Sequence, residues 1–110
     1  MLMTGETLIE EINVAYRRLS AAVGNLARAD CELTEHVRKV RLDNAETILE
    51  ARNERTARLY LDGLLDTEEH RRLETNRAKA ELDLQRARHE VERLHLIVRL
   101  LGTRTSEGTQ

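Results

Sequence analysis

The chain has 110 residues, which is at most one domain. Aromatic residues make up 2% and there is no Pro, Trp or Phe, which excludes a globular core built on bulky anchors. The 18 basic and 20 acidic side chains nearly balance, leaving a formal net charge of -2, so bulk charge gives no preference for a polyanion.

What remains is a composition rich in Ala, Leu, Glu and Arg, the signature of long helices or a coiled coil. The single cysteine, Cys31, cannot form an internal disulfide. No apolar run is long enough for a membrane span. Leu2-Met3 is too brief for a signal peptide. These features lead us to expect a cytoplasmic protein.

Residues 1–6 read as a flexible start. Thr7 with Glu10 three residues on makes a capping-box pattern. Glu6, Glu10 and Glu11 suit the positive end of a helix dipole. From Leu8 to Val40 apolar residues recur in steps of three and four, which defines a heptad seam. Ile12, Leu19, Leu26, Leu33 and Val40 take one core position. Leu8, Ala15, Ala22, Ala29 and His36 take the other. Gly24 lies inside this helix and is tolerated at a cost of about 1 kcal/mol relative to Ala.

Beyond Val40 the spacing changes phase at Leu42, Ala45, Ile48 and Leu49. This is either a stutter or a break capped by Asp43 with Glu46. Arg52-Asn53-Glu54 is the best turn candidate, with Asn53 in the left-handed conformation that ends a helix. Ala57, Tyr60, Leu61, Leu64 and Leu65 resume the helical spacing. Gly63 to Thr67 is a second weak point, where Asp66 with Glu69 could cap a final helix. A second seam then runs through Leu73, Arg77, Ala80, Leu84, Ala87, Val91, Leu94, Val98 and Leu101. Gly102 supplies its end, and residues 103–110 read as a disordered polar tail.

The two seams match. An antiparallel hairpin over residues 7–102, turning near Asn53, sets Leu8 against Val98 and Ile12 against Leu94. Ala15 then meets Val91, Leu19 meets Ala87, Ala22 meets Leu84 and Leu26 meets Ala80. Small faces large in successive layers, as close packing requires. The same register sets Arg77 on Ala29, His36 against His70 and Glu35 beside Arg71. Glu68 and Glu69 lie opposite Arg38 and Lys39. A slide of one heptad, with Leu26 against Ala87, also pairs many layers and stays open.

A two-helix hairpin buries only one side of each helix. The sequence offers more apolar surface than that. Ile9, Tyr16, Val23 and Val37 form a second stripe beside the first seam. Leu82, Leu96, Ile97 and Leu100 lie off the second. The predicted fold is therefore an all-α, coiled-coil-like antiparallel helical hairpin that dimerises into a four-helix bundle. Its interface comprises Ile9, Tyr16, Val23, Val37, Leu96, Ile97 and Leu100.

Chemistry-bearing patterns are few. Glu92 and His95 form the E-x-x-H pair of di-iron bundles, but they flank the seam instead of pointing into it. His36 and His70 share one layer, which reads first as a polar layer fixing register and second as a zinc or pH-sensitive site. Arg38, Lys39 and Arg41, with Arg52, Arg55 and Arg58 at the turn, make a possible basic contact surface. Nucleic acid binding would need those charges on one face, and there are no aromatics to stack bases. No serine or cysteine has a base and an orienting partner, and no phosphate loop or H-E-x-x-H is present. We expect no catalytic residue, no cofactor and no enzyme activity.

Asn53-Glu54-Arg55, then Ala57, Leu59 and Leu61, then a charged Ala/Leu-rich helix ending in residues 94–101 (LHLIVRLL), resembles a group of small helical proteins of tailed phages and prophages. The resemblance covers about the C-terminal half. It implies an accessory role in host cytoplasm, such as binding a host factor or assisting replication and recombination proteins, and carries over no functional residues. The reading that follows is a non-enzymatic helical protein, homodimeric, that binds and modulates a protein partner. The alternatives are a nucleic-acid-associated accessory factor and a metal-binding helical bundle.

Overall fold

A computed structural model describes residues 5–108 of the chain, those after 102 by their backbone alone. The fold is all-α, with four helices among these residues. They are α1 (Gly5–Asp43), α2 (Ala45–Leu49), α3 (Glu54–Leu65) and α4 (Glu68–Gly108). No residue among them has a positive φ. The chain is a helical hairpin in which α1 packs on α4. The described residues divide into two compact units, one of residues 5–25 with 81–108 and one of residues 26–80.

In the first unit, Leu8, Ala15, Val91 and Leu94 form the core, and Ile12, Leu19 and Ile97 pack against it. Leu94 is 1% exposed and is the largest fully buried side chain among the described residues. Ala22 and Leu84 are also buried. One groove runs from Thr7 to Arg18 beside Glu90 and Arg93, the next from Ala15 to Asn25 beside residues 83–90. Rising numbers on α1 thus meet falling numbers on α4, which makes the pair antiparallel.

The far end of the second seam differs from expectation. Ile97 joins the core, whereas Val98 and Leu101 are exposed. The spacing after Leu94 is three and not four, and the longer Ile97 side chain takes the inward place.

In the second unit, Leu73 and Ala80 are buried on α4, and Leu26, Ala29, Leu33, His36 and Val40 are half-buried on α1. Arg77 Nε donates to Asp30 Oδ1 at 2.7 Å, and the rings of His36 and His70 lie 5.5 Å apart. Both pairings belong to the register that sets Leu26 against Ala80, not to its one-heptad slide. Arg77 reaches outward past Ala29, as a long charged side chain on a seam must. The expected Glu35–Arg71 pair is replaced by local ones. Arg38 bonds Glu35 at 3.3 Å and Arg71 bonds Asp66 at 2.8 Å.

The helix boundaries have identifiable causes. α1 begins at Gly5, so Thr7 sits in its first turn and is not the cap. Residues 1–4 of the expected flexible start lie outside the described residues. α1 stops at Asn44, whose side chain donates to Val40 O at 2.8 Å, while its own amide turns to Arg41 O at 3.3 Å. The side chain has displaced the amide that would continue the helix. Asp43 with Glu46 therefore does not act as the cap.

Asn53 was expected to end a helix in a left-handed conformation. Instead it starts α3 from an extended one, with its Oδ1 accepting from the Thr56 amide at 2.9 Å. The chain breaks again at residues 66–67. There Thr67, not Asp66, supplies the cap, its Oγ1 accepting from the His70 amide at 3.2 Å. The reversal is thus made by α2, residues 50–53 and α3, with α2 packed against α3.

α4 runs through Gly102 to Gly108. Gly102 lacks the positive φ of a left-handed cap and is only a weak spot within the helix. Residues 109–110 of the expected tail lie outside the described residues.

Candidate interaction surfaces

In the first unit the face of α1 beside the seam carries Ile9, Tyr16 and Val23, one per heptad, at 60%, 45% and 50% exposure. A seven-residue step keeps three side chains in one row on a helix. On α4 of this unit Leu82, Leu96, Val98, Leu100 and Leu101 are exposed as well. Of the residues expected at an oligomer interface, Ile9, Tyr16, Val23, Leu96 and Leu100 are open. Ile97 packs against the core of its own chain, and Val37, in the second unit, is half-buried.

Tyr16 is not a bare hydrophobe. Its hydroxyl lies 2.6 Å from His95 Nε2, with ring centres 5.7 Å apart. This bond holds the ring along the surface of α4. The sequence reading missed it because Tyr16 and His95 both sit beside the seam, not on it. Glu92 of the E-x-x-H pair is exposed, and His95 is committed to Tyr16.

A charged groove lies on the other side of the seam, lined by Glu10, Glu11, Arg18, Glu90 and Arg93. Arg93 binds Glu90 through two nitrogens, at 2.8 and 3.1 Å. The hydrogen bond from Arg93 is the main cause that holds the Glu90 carboxyl below its ordinary pKa. Partial desolvation opposes it, and the charges of Arg93 and Arg18 add to it. The same bond raises Arg93.

The second unit presents another surface around α2 and α3. Leu49 is 83% exposed, and Leu42 and Leu59 are exposed too. Tyr60 packs its hydroxyl toward Asn44 Oδ1 at 3.4 Å, which ties α3 to the end of α1. Leu59 borders a shallow depression with Glu54, Arg55, Arg58 and Asp62. The expected basic residues Arg38, Lys39, Arg41, Arg52, Arg55 and Arg58 are all exposed here. Arg38 pairs with Glu35 and Arg58 with Glu54, so part of the positive charge is neutralised along the same helix. Cys31 is exposed on α1 of this unit.

His36 and His70 do share a layer, as the register requires. Their rings tilt by 31°, and His70 Nε2 lies 3.1 Å from Glu74 Oε1. His36 Nδ1 is 4.0 Å from Glu69 Oε1. His36 Nε2 and His70 Nδ1 are buried without a hydrogen-bond partner. No group of three or more His, Cys, Asp or Glu able to hold a metal occurs among the described residues. Nor is any described helix long and apolar enough to cross a membrane.

These features define a class: an all-α helical hairpin whose seam is filled from within the chain and whose large apolar residues are partly left outside. No protein-family model, curated protein or solved structure matches the chain.

Proposed function

We propose that this protein is a non-enzymatic interaction protein, a homodimer that binds and modulates a protein partner in an accessory role of the phage type. One observation carries the reading: large apolar side chains stand exposed in rows outside a seam that is already filled. Ile9, Tyr16 and Val23 make such a row on α1, and Leu96 and Leu100 lie exposed on α4 of the same unit. Single exposed leucines are ordinary on soluble proteins, but a heptad-spaced row is the pattern that a further helix covers. A second copy supplies that helix with the same spacing, giving a self-complementary interface.

The partner's place is the corner of α2 and α3. Leu49 and Leu59 give it exposed apolar anchors, and Arg52 and Arg55, on the stretch between them, add exposed charge, the make-up of a small recognition patch. The phage-type context rests on the resemblance of residues 53–101.

The test is capture of proteins from host lysate on the immobilised chain, run beside Leu49→Glu and Leu59→Glu variants. The reading expects a stoichiometric protein that the wild type retains through salt washing and both variants lose. Retention of nucleic acid alone, released by salt, would replace it with the nucleic-acid reading.

A further inference from the structure

We propose that His36 and His70 form the protein half of a binding site for a divalent transition-metal ion of the zinc, nickel or copper(II) kind. The two residues stand where the seam would otherwise hold apolar side chains, His36 on α1 and His70 on α4. Each side chain is only 14% exposed. Each has a carboxylate at one ring nitrogen. Glu74 stands 3.1 Å from His70 Nε2, and Glu69 stands 4.0 Å from His36 Nδ1.

A carboxylate beside an imidazole nitrogen favours the tautomer whose proton sits on that nitrogen. The proton therefore belongs on His70 Nε2, at hydrogen-bonding distance from Glu74, while the charge of Glu69 at 4.0 Å favours the His36 proton on Nδ1. The other two nitrogens, His70 Nδ1 and His36 Nε2, then carry lone pairs. Those are the two atoms that are buried and have no partner. Two unpaired acceptors in one buried layer are unfavourable until a donor or a cation takes them up.

The spacing suits a metal ion. Two imidazoles on one tetrahedral ion, with metal–nitrogen bonds of about 2.0–2.1 Å, have ring centres about 5 Å apart. The observed separation is 5.5 Å. Glu69 and Glu74 would stand behind the ligands as the carboxylates that orient metal-bound histidines commonly do. Imidazole ligands select zinc, nickel and copper over calcium or magnesium. The protein supplies two ligands, so water completes the coordination and the site binds more weakly than a closed four-ligand one.

The test uses the full chain at neutral pH. Nitrogen-15 spectra of the imidazole side chains are recorded after chelation and again during titration with zinc(II) and nickel(II). The proposal expects zinc to move His36 Nε2 and His70 Nδ1 selectively and to leave His89 unmoved. Thermal unfolding should shift upward by about 5 °C when free zinc is ten times its Kd. His36→Gln and His70→Gln should each abolish that shift, and His89→Gln should keep it. If the two nitrogens respond to acid but to neither metal, a shared proton is the occupant and the proposal is overturned. A metal-induced shift that survives both substitutions overturns it as well. The spectra are read on the wild type, so the outcome stands even if a variant fails to fold.

Discussion

Leu94→Ala is the sharpest probe of the packing. Leu94 is 1% exposed and sits in the core of the first unit with Leu8, Ala15 and Val91. Two features make its removal costly. The transfer free energy of a fully buried leucine is lost, and a cavity is left in the core it shares with Leu8, Ala15 and Val91. Leu→Ala changes in cores cost about 2–5 kcal/mol, more where the surroundings relax less. The limited depth of a two-helix core argues against the top of that range, so we expect about 3 kcal/mol. Leu59→Ala is the matched control, since Leu59 is 63% exposed on α3. Its loss should cost under about 0.5 kcal/mol. Urea unfolding followed by far-UV circular dichroism, at one protein concentration, measures both. If Leu94→Ala costs no more than Leu59→Ala, the core is not where we place it.

Three further outcomes follow from local geometry. Asn53→Ala should destabilise α3 by about 1 kcal/mol and speed hydrogen exchange of the Thr56 amide, whereas Asn53→Asp should preserve protection. Gly24→Ala should stabilise the chain to thermal unfolding by about 0.5–1 kcal/mol, because a Cβ there meets nothing within 4 Å. The Glu90 carboxyl, held down by Arg93, should titrate below the ordinary glutamate value in a carbon-13 NMR titration. Arg93→Gln should move it back up. Because the folded value is depressed, the stability that this pair contributes is present above the unfolded pKa. It disappears as pH falls through the folded one.

The seam of α1 was legible residue by residue. All ten positions from Leu8 to Val40 are buried or half-buried, because alternating large and small residues at heptad spacing leave little choice of face. The register was legible only to within one heptad, because the sliding seams match in either frame; the structure fixes it through the Arg77–Asp30 bond and the His36–His70 layer. The caps were read less well for a definite reason. Asn serves either end of a helix, so Asn53 alone does not say whether a helix stops or starts. Asp66 and Thr67 are both competent caps one residue apart. The role of Asn44 could not be read at all, since it depends on a side-chain bond to Val40 O that spacing does not encode. At the far end of α4, every residue from 96 to 101 except Arg99 is apolar, so periodicity no longer picks the inward residue.

The candidate surfaces were legible as leftovers. Ile9, Tyr16 and Val23 were singled out because the seam did not use them, and they are exposed. The Tyr16–His95 bond and the two carboxylates behind the histidine pair were not, because each depends on side-chain direction and not on spacing.

Dimerisation through the Ile9, Tyr16 and Val23 row is the central claim, and sedimentation equilibrium tests it most directly. At micromolar concentration the wild-type chain should sediment with twice the mass of one chain. An Ile9→Glu, Val23→Glu double variant should remain helical and sediment as a monomer. A wild-type chain that stays monomeric up to the highest concentrations measured, or a double variant that still dimerises, would contradict the account.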